Sequence, residues 1–288
     1  MIYTTLISPA ELHTLILNHK ASQEDNLLII DCQCNLTDRM LGKRNYDNAH
    51  IPGSLFIDFD EIVSGKASLG TGRHPLPDRQ TFIDEMQKLG VGNNRQVIVY
   101  DQGGLGFAPR LWWQLRWAGY EKVAVLDGGF KAWNNGWRPI STEVPSAKTK
   151  GSWDSSVFLE TPIEMVSLQR NLTEKKYLVV DARPTSRFHG ENEVLDHKAG
   201  HIPGSLTRCG SLNLDETGKF KPAPVLRKEW LDLIGSWSVN QVVNSCGSGV
   251  NACLNLLAMA YCGLYGAKLY PGSWSQWIDD PTNPIEVP

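Results

Sequence analysis

Four sequence blocks occur twice in this chain, in the same order, with the second copy of each about 150 residues after the first. Leu27-Leu28-Ile29-Ile30-Asp31 returns as Tyr177-Leu178-Val179-Val180-Asp181. His50-Ile51-Pro52-Gly53-Ser54-Leu55 returns unchanged as His201-Ile202-Pro203-Gly204-Ser205-Leu206. Gln96-Val97-Ile98-Val99-Tyr100-Asp101 aligns with Gln241-Val242-Val243-Asn244-Ser245-Cys246, and Leu126–Trp133 aligns with Tyr270–Trp277. Such a pattern constrains the fold to two copies of one domain. Within each copy, short β-rich runs (27–31, 96–100 and 123–126 in the first) alternate with helical patterns such as 79–89 and 107–118. That alternation predicts an α/β fold with a central parallel sheet flanked by helices. In helix 107–118, Leu111, Trp112, Leu115 and Trp117 read as packing. The polar, unpatterned stretch from Ser141 to Ser152 contains the junction. The predicted organisation is a first domain at 1–143, a linker at 144–158 and a second domain at 159–288.

Composition excludes several functions. The 288 residues are 41% hydrophobic and 20% charged, with a net charge of -3 and no Lys/Arg run, so no nucleic-acid footprint is expected. No apolar run approaches the ~18 residues of a membrane span, and the N-terminus lacks the features of a signal peptide. The six cysteines are too sparse for a disulfide scaffold and suit a reducing, cytoplasmic setting. Metal binding is not expected: Cys32 and Cys34 form only a C-x-C pair, and Gly200 and Pro203 break any helix that would align His197 with His201.

Chemistry concentrates at Cys246, where a β-branched run ends, Gly247 and Gly249 follow, and a helical pattern begins near Ala252. A thiol at such a junction faces unpaired backbone amides and the positive end of a helix dipole, and both favour the thiolate. The glycines let backbone curl around whatever the sulfur carries. Cys32, Cys34, Cys209, Cys253 and Cys262 lack that setting and read as small hydrophobes. The first copy has Asp101 where the second has Cys246, so only the second copy can perform thiol chemistry.

At these residues the chain resembles the two-domain rhodanese-type sulfurtransferases, over essentially its whole length. The strand-Asp start, the H-I-P-G-S block in both halves, the G-[GS]-x-x-x-W elements and the single C-terminal cysteine loop carry the resemblance. It implies two tandem rhodanese-like domains, the first non-catalytic. Thiosulfate-preferring members carry C-R-K-G-V-T in the loop, whereas 3-mercaptopyruvate sulfurtransferases carry C-G-[SA]-G-V-T. Cys246-Gly247-Ser248-Gly249-Val250 is similar to the second pattern, with Asn251 in place of Thr. Basic loop residues would offset the charge of compact, dianionic thiosulfate, while mercaptopyruvate carries its carboxylate away from the sulfur, within reach of a distant Arg.

The resemblance implies Arg187 as that carboxylate binder and residues 247–251 as the cradle of the outer sulfur. A second Arg, usual some nine residues further on, is absent from Glu191–Ala199; His197 or Lys198 would have to replace it, or Arg187 would act alone. The resemblance also implies a proton relay of Ser248, His74 and Asp60, with Asp58 an alternative to Asp60. Sulfur would pass from 3-mercaptopyruvate to a Cys246 persulfide, releasing pyruvate, and then to a thiol such as thioredoxin or to cyanide, with no metal or organic cofactor. Thiosulfate transfer, or persulfide carriage without small-molecule turnover, are the alternatives.

Rivals from other classes fail on residues. A tyrosine phosphatase needs C-x5-R, and Ala252 stands at the Arg position. A G-x-S-x-G serine hydrolase centred on Ser248 would need glycines where Cys246 and Val250 stand. Gly104-Leu105-Gly106 is a weak dinucleotide pattern, with Pro109 following and the third glycine missing.

Overall fold

The repeated blocks become two parallel sheets with the same strand order. The computed structural model describes residues 2–22, 24–35, 37–104, 106–146 and 149–287; Leu105 of the glycine pattern and the junction residues Ala147 and Lys148 lie outside them. The first sheet comprises β1 (Leu6–Ile7), β2 (Leu27–Asp31), β3 (Ser54–Phe56), β4 (Gln96–Tyr100) and β5 (Val123–Leu126), in the order β1-β5-β4-β2-β3. Every pairing is parallel. Helices α1 (Pro9–Ser22), α2 (Leu41–Asn48), α3 (Arg79–Lys88), α4 (Phe107–Trp117) and α5 (Gly129–Asn135) flank it. The second sheet has β6 (Leu178–Asp181), β7 (Leu206–Thr207), β8 (Val242–Ser245) and β9 (Lys268–Leu269), in the order β7-β6-β8-β9, again all parallel. A parallel bridge from Pro162 to Leu269 stands where β1 meets β5 in the first copy. Its helices are α6 (Met165–Glu174), α7 (Thr185–Phe188), α8 (Ala223–Ile234), α9 (Ala252–Tyr261) and α10 (Ser273–Trp277).

Strands buried on both faces explain the unbroken apolar runs: all five residues of β2 and all four of β5, β6 and β8 are buried. Helix α4 is buried along its entire length, so its tryptophans are core, as their spacing predicts. Trp112 also donates its ring N–H to the Thr4 carbonyl at 2.8 Å.

The identical H-I-P-G-S blocks perform one structural task twice. His50 and His201 are both buried. His50 donates from Nδ1 to the Tyr46 carbonyl at 2.7 Å and stacks on that tyrosine at 4.0 Å. His201 donates from Nδ1 to the Phe188 carbonyl at 2.8 Å and stacks on that ring at 3.7 Å. Each histidine also forms an antiparallel bridge to the far end of its own domain, His50 with Ser141 and His201 with Glu286. The glycines turn the chain with φ of 82° at Gly53 and 77° at Gly204, a region that glycine enters without penalty.

The division into compact units departs from the expected 1–143, 144–158 and 159–288. One unit is Met1–Ser64, Pro77–Leu159 and Glu216–Lys219; the other is Gly65–Leu76, Glu160–Asp215 and Phe220–Pro288. Segment 65–76, which carries His74, thus folds with the second copy. The described part of the expected linker is laid along the first unit. Gly151 N–H bonds the Gln87 carbonyl, Asn93 N–H bonds the Ser152 carbonyl (both 2.9 Å), and the Trp153 indole bonds the Ala118 carbonyl at 3.0 Å. A Cβ on Gly151 would strike the Val91 carbonyl. Polar composition suggested a tether, but backbone hydrogen bonding does not depend on hydrophobic pattern.

The first unit also buries two carboxyls near each other's fields. Burial pushes Asp31 up to about 6, opposed by hydrogen bonds from Gln33. Burial likewise pushes Asp101 up to about 6, opposed by amides of its own loop and reinforced by Asp31. A carboxyl raised in the folded state contributes stability that is full below its unfolded pKa of about 3.8 and lost as pH rises through about 6. Asp31→Asn should remove its share, because the Gln33 amide can flip to accept from the new Nδ2. The variant should gain about 1–3 kcal/mol relative to wild type between about pH 4 and about pH 7.5, measured by urea unfolding at both pH values. An unchanged difference would show that Asp31 does not titrate in this window.

Candidate active site

Cys246 immediately follows β8 and is 3% exposed. Its Sγ accepts the Gly249 N–H at 3.1 Å, so the loop has begun to wrap the sulfur as the glycines predicted. Gly249 adopts φ of 77°. Gly247, Ser248, Gly249 and Val250 are buried, whereas Asn251 is exposed at the N-cap of α9 without a side-chain cap bond. The Cys253 thiol donates to the Gly249 carbonyl at 3.4 Å from within α9, which is the packing role expected of it.

The loop is held from behind by α10. Trp274 N–H bonds the Cys246 carbonyl at 3.0 Å, and Ser275 N–H bonds the Gly247 carbonyl at 2.9 Å. The first copy contains the same pair of bonds: Phe130 N–H to the Asp101 carbonyl at 2.8 Å and Lys131 N–H to the Gln102 carbonyl at 3.1 Å. There the carboxylate fills its own loop, Asp101 Oδ1 accepting from Gly103 N–H at 2.8 Å and Oδ2 from Ala108 N–H at 3.0 Å.

Ser273 is a residue the sequence analysis missed. It is fully buried at φ of 54°, where the first copy has Gly129 at 58°. Its Oγ accepts the Cys246 N–H at 3.1 Å and donates to the Tyr270 carbonyl at 2.9 Å. A left-handed serine beside an aligned glycine was the available signal; the hydroxyl offsets the backbone strain.

Ser248 is 8% exposed, and its Oγ lies 2.8 Å from His74 Nδ1. These two expected partners are therefore brought together. Asp60 lies in a π-helical turn (Phe59–Val63) of the first unit, with its carboxylate 3.4 Å from Arg39 Nε. Asp58 caps that turn, accepting from the Asp60 and Glu61 amides at 2.9 and 3.1 Å.

Arg187, on α7, directs its guanidinium to the loop: a Cβ built on Gly247 would lie 3.6 and 3.7 Å from its two Nη atoms. Glu193 accepts from its Nε at 2.9 Å and its Nη2 at 2.8 Å, and Asp196 accepts from Nη2 at 2.8 Å. The expected stand-ins for a second Arg are placed differently. His197 is exposed and lines a cavity of about 440 Å³ with Arg73, Asp196 and Ser275. Lys198 is half-buried, and its carbonyl accepts the Trp274 ring N–H at 2.9 Å. The second cation beside the loop is instead Arg73, also missed, whose Nη2 would lie 2.9 Å from that Gly247 Cβ. Nothing in segment 65–76 alone signals which copy it packs against.

Two copies of one parallel-sheet domain, with a single wrapped cysteine in the second, define a two-domain sulfurtransferase. The chain belongs to the rhodanese-like family, whose domain matches residues 9–136 and 164–280. The probable 3-mercaptopyruvate sulfurtransferase of Pseudomonas aeruginosa is 38% identical over 264 residues, covering 91% of this chain and 93% of that protein. The putative thiosulfate sulfurtransferase of Mycobacterium tuberculosis is 32% identical over 280 residues, covering 97% and 96%. Among solved structures, the 3-mercaptopyruvate sulfurtransferase of Leishmania major matches with a TM-score of 0.81 at 26% identity, over 94% of this chain and 73% of that one. No described helix is long and apolar enough to cross a membrane.

Substitutions at Ser273 separate its two roles. Ser273→Ala keeps the left-handed strain and loses both hydrogen bonds, and should cost roughly 1–3 kcal/mol. Ser273→Gly loses the same bonds but relieves the strain, so it should be about 1 kcal/mol less harmful. Denaturant midpoints of the two variants test the order; an Ala variant as stable as the Gly variant would remove the strain argument.

Proposed function

We propose that this chain transfers sulfane sulfur from 3-mercaptopyruvate to a thiol or to cyanide through a persulfide on Cys246, releasing pyruvate. The observation that carries the reading is a neutral loop wrapped around a buried sulfur with the Arg187 guanidinium one residue away. That spacing suits a donor whose carboxylate and sulfur lie at opposite ends of a short molecule. Burial disfavours the thiolate at three of the other cysteines: it pushes Cys34 up to about 12, Cys32 well above the usual thiol range, and Cys262 upward.

In this mechanism the Cys246 thiolate attacks the donor sulfur, forming S–S as the C–S bond breaks. The bonding pair leaves on carbon as pyruvate enolate, which takes a proton to become pyruvate. The hydrogen-bond contact between Ser248 and His74 supports these two as the source of that proton. The amides of 247–251 hold the outer sulfur, as the Gly249 contact suggests. Cyanide then removes that sulfur as thiocyanate, or a dithiol such as thioredoxin removes it as sulfide and becomes a disulfide. A cytoplasmic site of action accords with six cysteines that are all held outside disulfides.

Incubation with 3-mercaptopyruvate should add one sulfur to the Cys246 peptide by mass spectrometry. Cys246→Ser should abolish turnover, and substantial residual turnover would end the reading. Arg187→Ala should cost about 2–4 kcal/mol in kcat/KM for this donor, and Ser248→Ala about 100-fold in kcat. Side-by-side rates decide between donors: faster turnover of thiosulfate would replace mercaptopyruvate, and persulfide formation without turnover on either donor would leave a sulfur carrier.

A further inference from the structure

The two guanidiniums beside the loop share one internal carboxylate. Asp196 accepts from Arg187 Nη2 through Oδ2 at 2.8 Å, and from Arg73 Nη1 through Oδ1. Its side chain is only 2% exposed, against 14% for Arg187 and 34% for Arg73. Two guanidiniums gripping one carboxylate, one on each oxygen, is the arrangement a carboxylate-bearing ligand needs. Both converge on the residue after Cys246. The surrounding charges cancel: Arg183 pairs with Asp181 in the same cluster, and Arg187 with Glu193. An incoming anion therefore meets a neutral cluster, not a ready positive pocket.

Asp196 also stands nine residues after Arg187, in the segment the sequence analysis found without a second Arg. The charge at that place is reversed, and segment 65–76 brings the missing cation as Arg73. Arg73 is more exposed than the carboxylate it grips, and it lines the cavity of about 440 Å³ through which a ligand can approach.

We propose that Arg73 and Arg187 together form the fork for the donor's carboxylate, and that Asp196 occupies this fork as an internal carboxylate the donor displaces. The proposal rests on the reading of a carboxylate-bearing donor. Its consequence is opposite signs at two partners of one ion pair. Removing the internal competitor raises the population of open fork and so the apparent affinity; removing Arg73 removes a charged hydrogen-bond donor to the ligand.

The test is steady-state kinetics with 3-mercaptopyruvate on the full chain, together with calorimetric titration of pyruvate as a carboxylate probe. Asp196→Asn should lower KM about three- to tenfold. Arg73→Gln should raise KM roughly 10- to 100-fold, with partial rescue by Arg73→Lys. Pyruvate affinity should follow the same order. An ion pair with only a structural role would weaken binding in both variants or in neither, and either result overturns the proposal. A gain of affinity in Asp196→Asn cannot arise from misfolding. If wild-type Cys246 takes no sulfur from mercaptopyruvate, the donor reading fails. The pyruvate titrations still decide the fork, and equal affinities in all variants would reject it.

Discussion

Two backbone hydrogen bonds hold the loop that follows the central strand of each sheet. In the second copy they run from Trp274 and Ser275 to the carbonyls of Cys246 and Gly247. A parallel strand cannot turn back on itself by a short hairpin, so its carboxyl end opens into loop and helix. Any side chain placed there is oriented only as well as that loop is fixed. By tying the carbonyls of Cys246 and Gly247 to the start of α10, the fold leaves the Gly249 amide to face the sulfur. The G-[GS]-x-x-x-W element is thus a clamp, and Trp274 within it, aligned with Phe130, serves both core and site: it is 1% exposed, and the Arg183 guanidinium lies 4.9 Å from its ring.

Duplication then allowed the two loops to diverge around one backbone. In the first, Asp101 turns its carboxylate into the cradle and satisfies its amides permanently. In the second, Cys246 presents a single sulfur atom that accepts the Gly249 amide. The same contrast holds two residues past each strand-end aspartate. Gln33 bonds Asp31 as a neutral partner, whereas Arg183 bonds Asp181 through Nε and Nη2 as a charged one. The neutral partner leaves Asp31 raised to about 6. The charged partner brings a cation into the second copy, where the cluster around Arg187 is built.

That cluster places cations beside a loop that itself has no basic residues. Cations at positions 247 and 248 would place charge directly at the sulfur. Here the charge is set beside the loop, on Arg187 and Arg73, and balanced by Glu193 and Asp196. Burial of paired charges costs solvation that only well-formed hydrogen bonds offset, and Arg187 has them through Nε and Nη2.

The sequence by itself determined the duplication, the parallel α/β class, the position of Cys246 at a strand's end and the place of Asp101 at the matching strand end of the first copy. These rest on local signals: apolar runs of strand length, repeated turn glycines and the identity of one aligned residue. The family resemblance, and not the residues alone, put Ser248 with His74 and pointed to Arg187. Only the tertiary structure decided that segment 65–76 folds with the second copy, that the expected linker lies along the first, and that Arg73 and Ser273 serve the cysteine loop. Arg73 is 173 positions from Cys246 in the chain, and no periodicity reports a contact between segments so far apart. Ser273 differs from its aligned Gly129 by one hydroxymethyl group, and its meaning depends on which amide stands opposite. Long-range contacts of this kind are set by where the chain crosses, which burial and backbone hydrogen bonding settle together, and neither is written into any local stretch of residues.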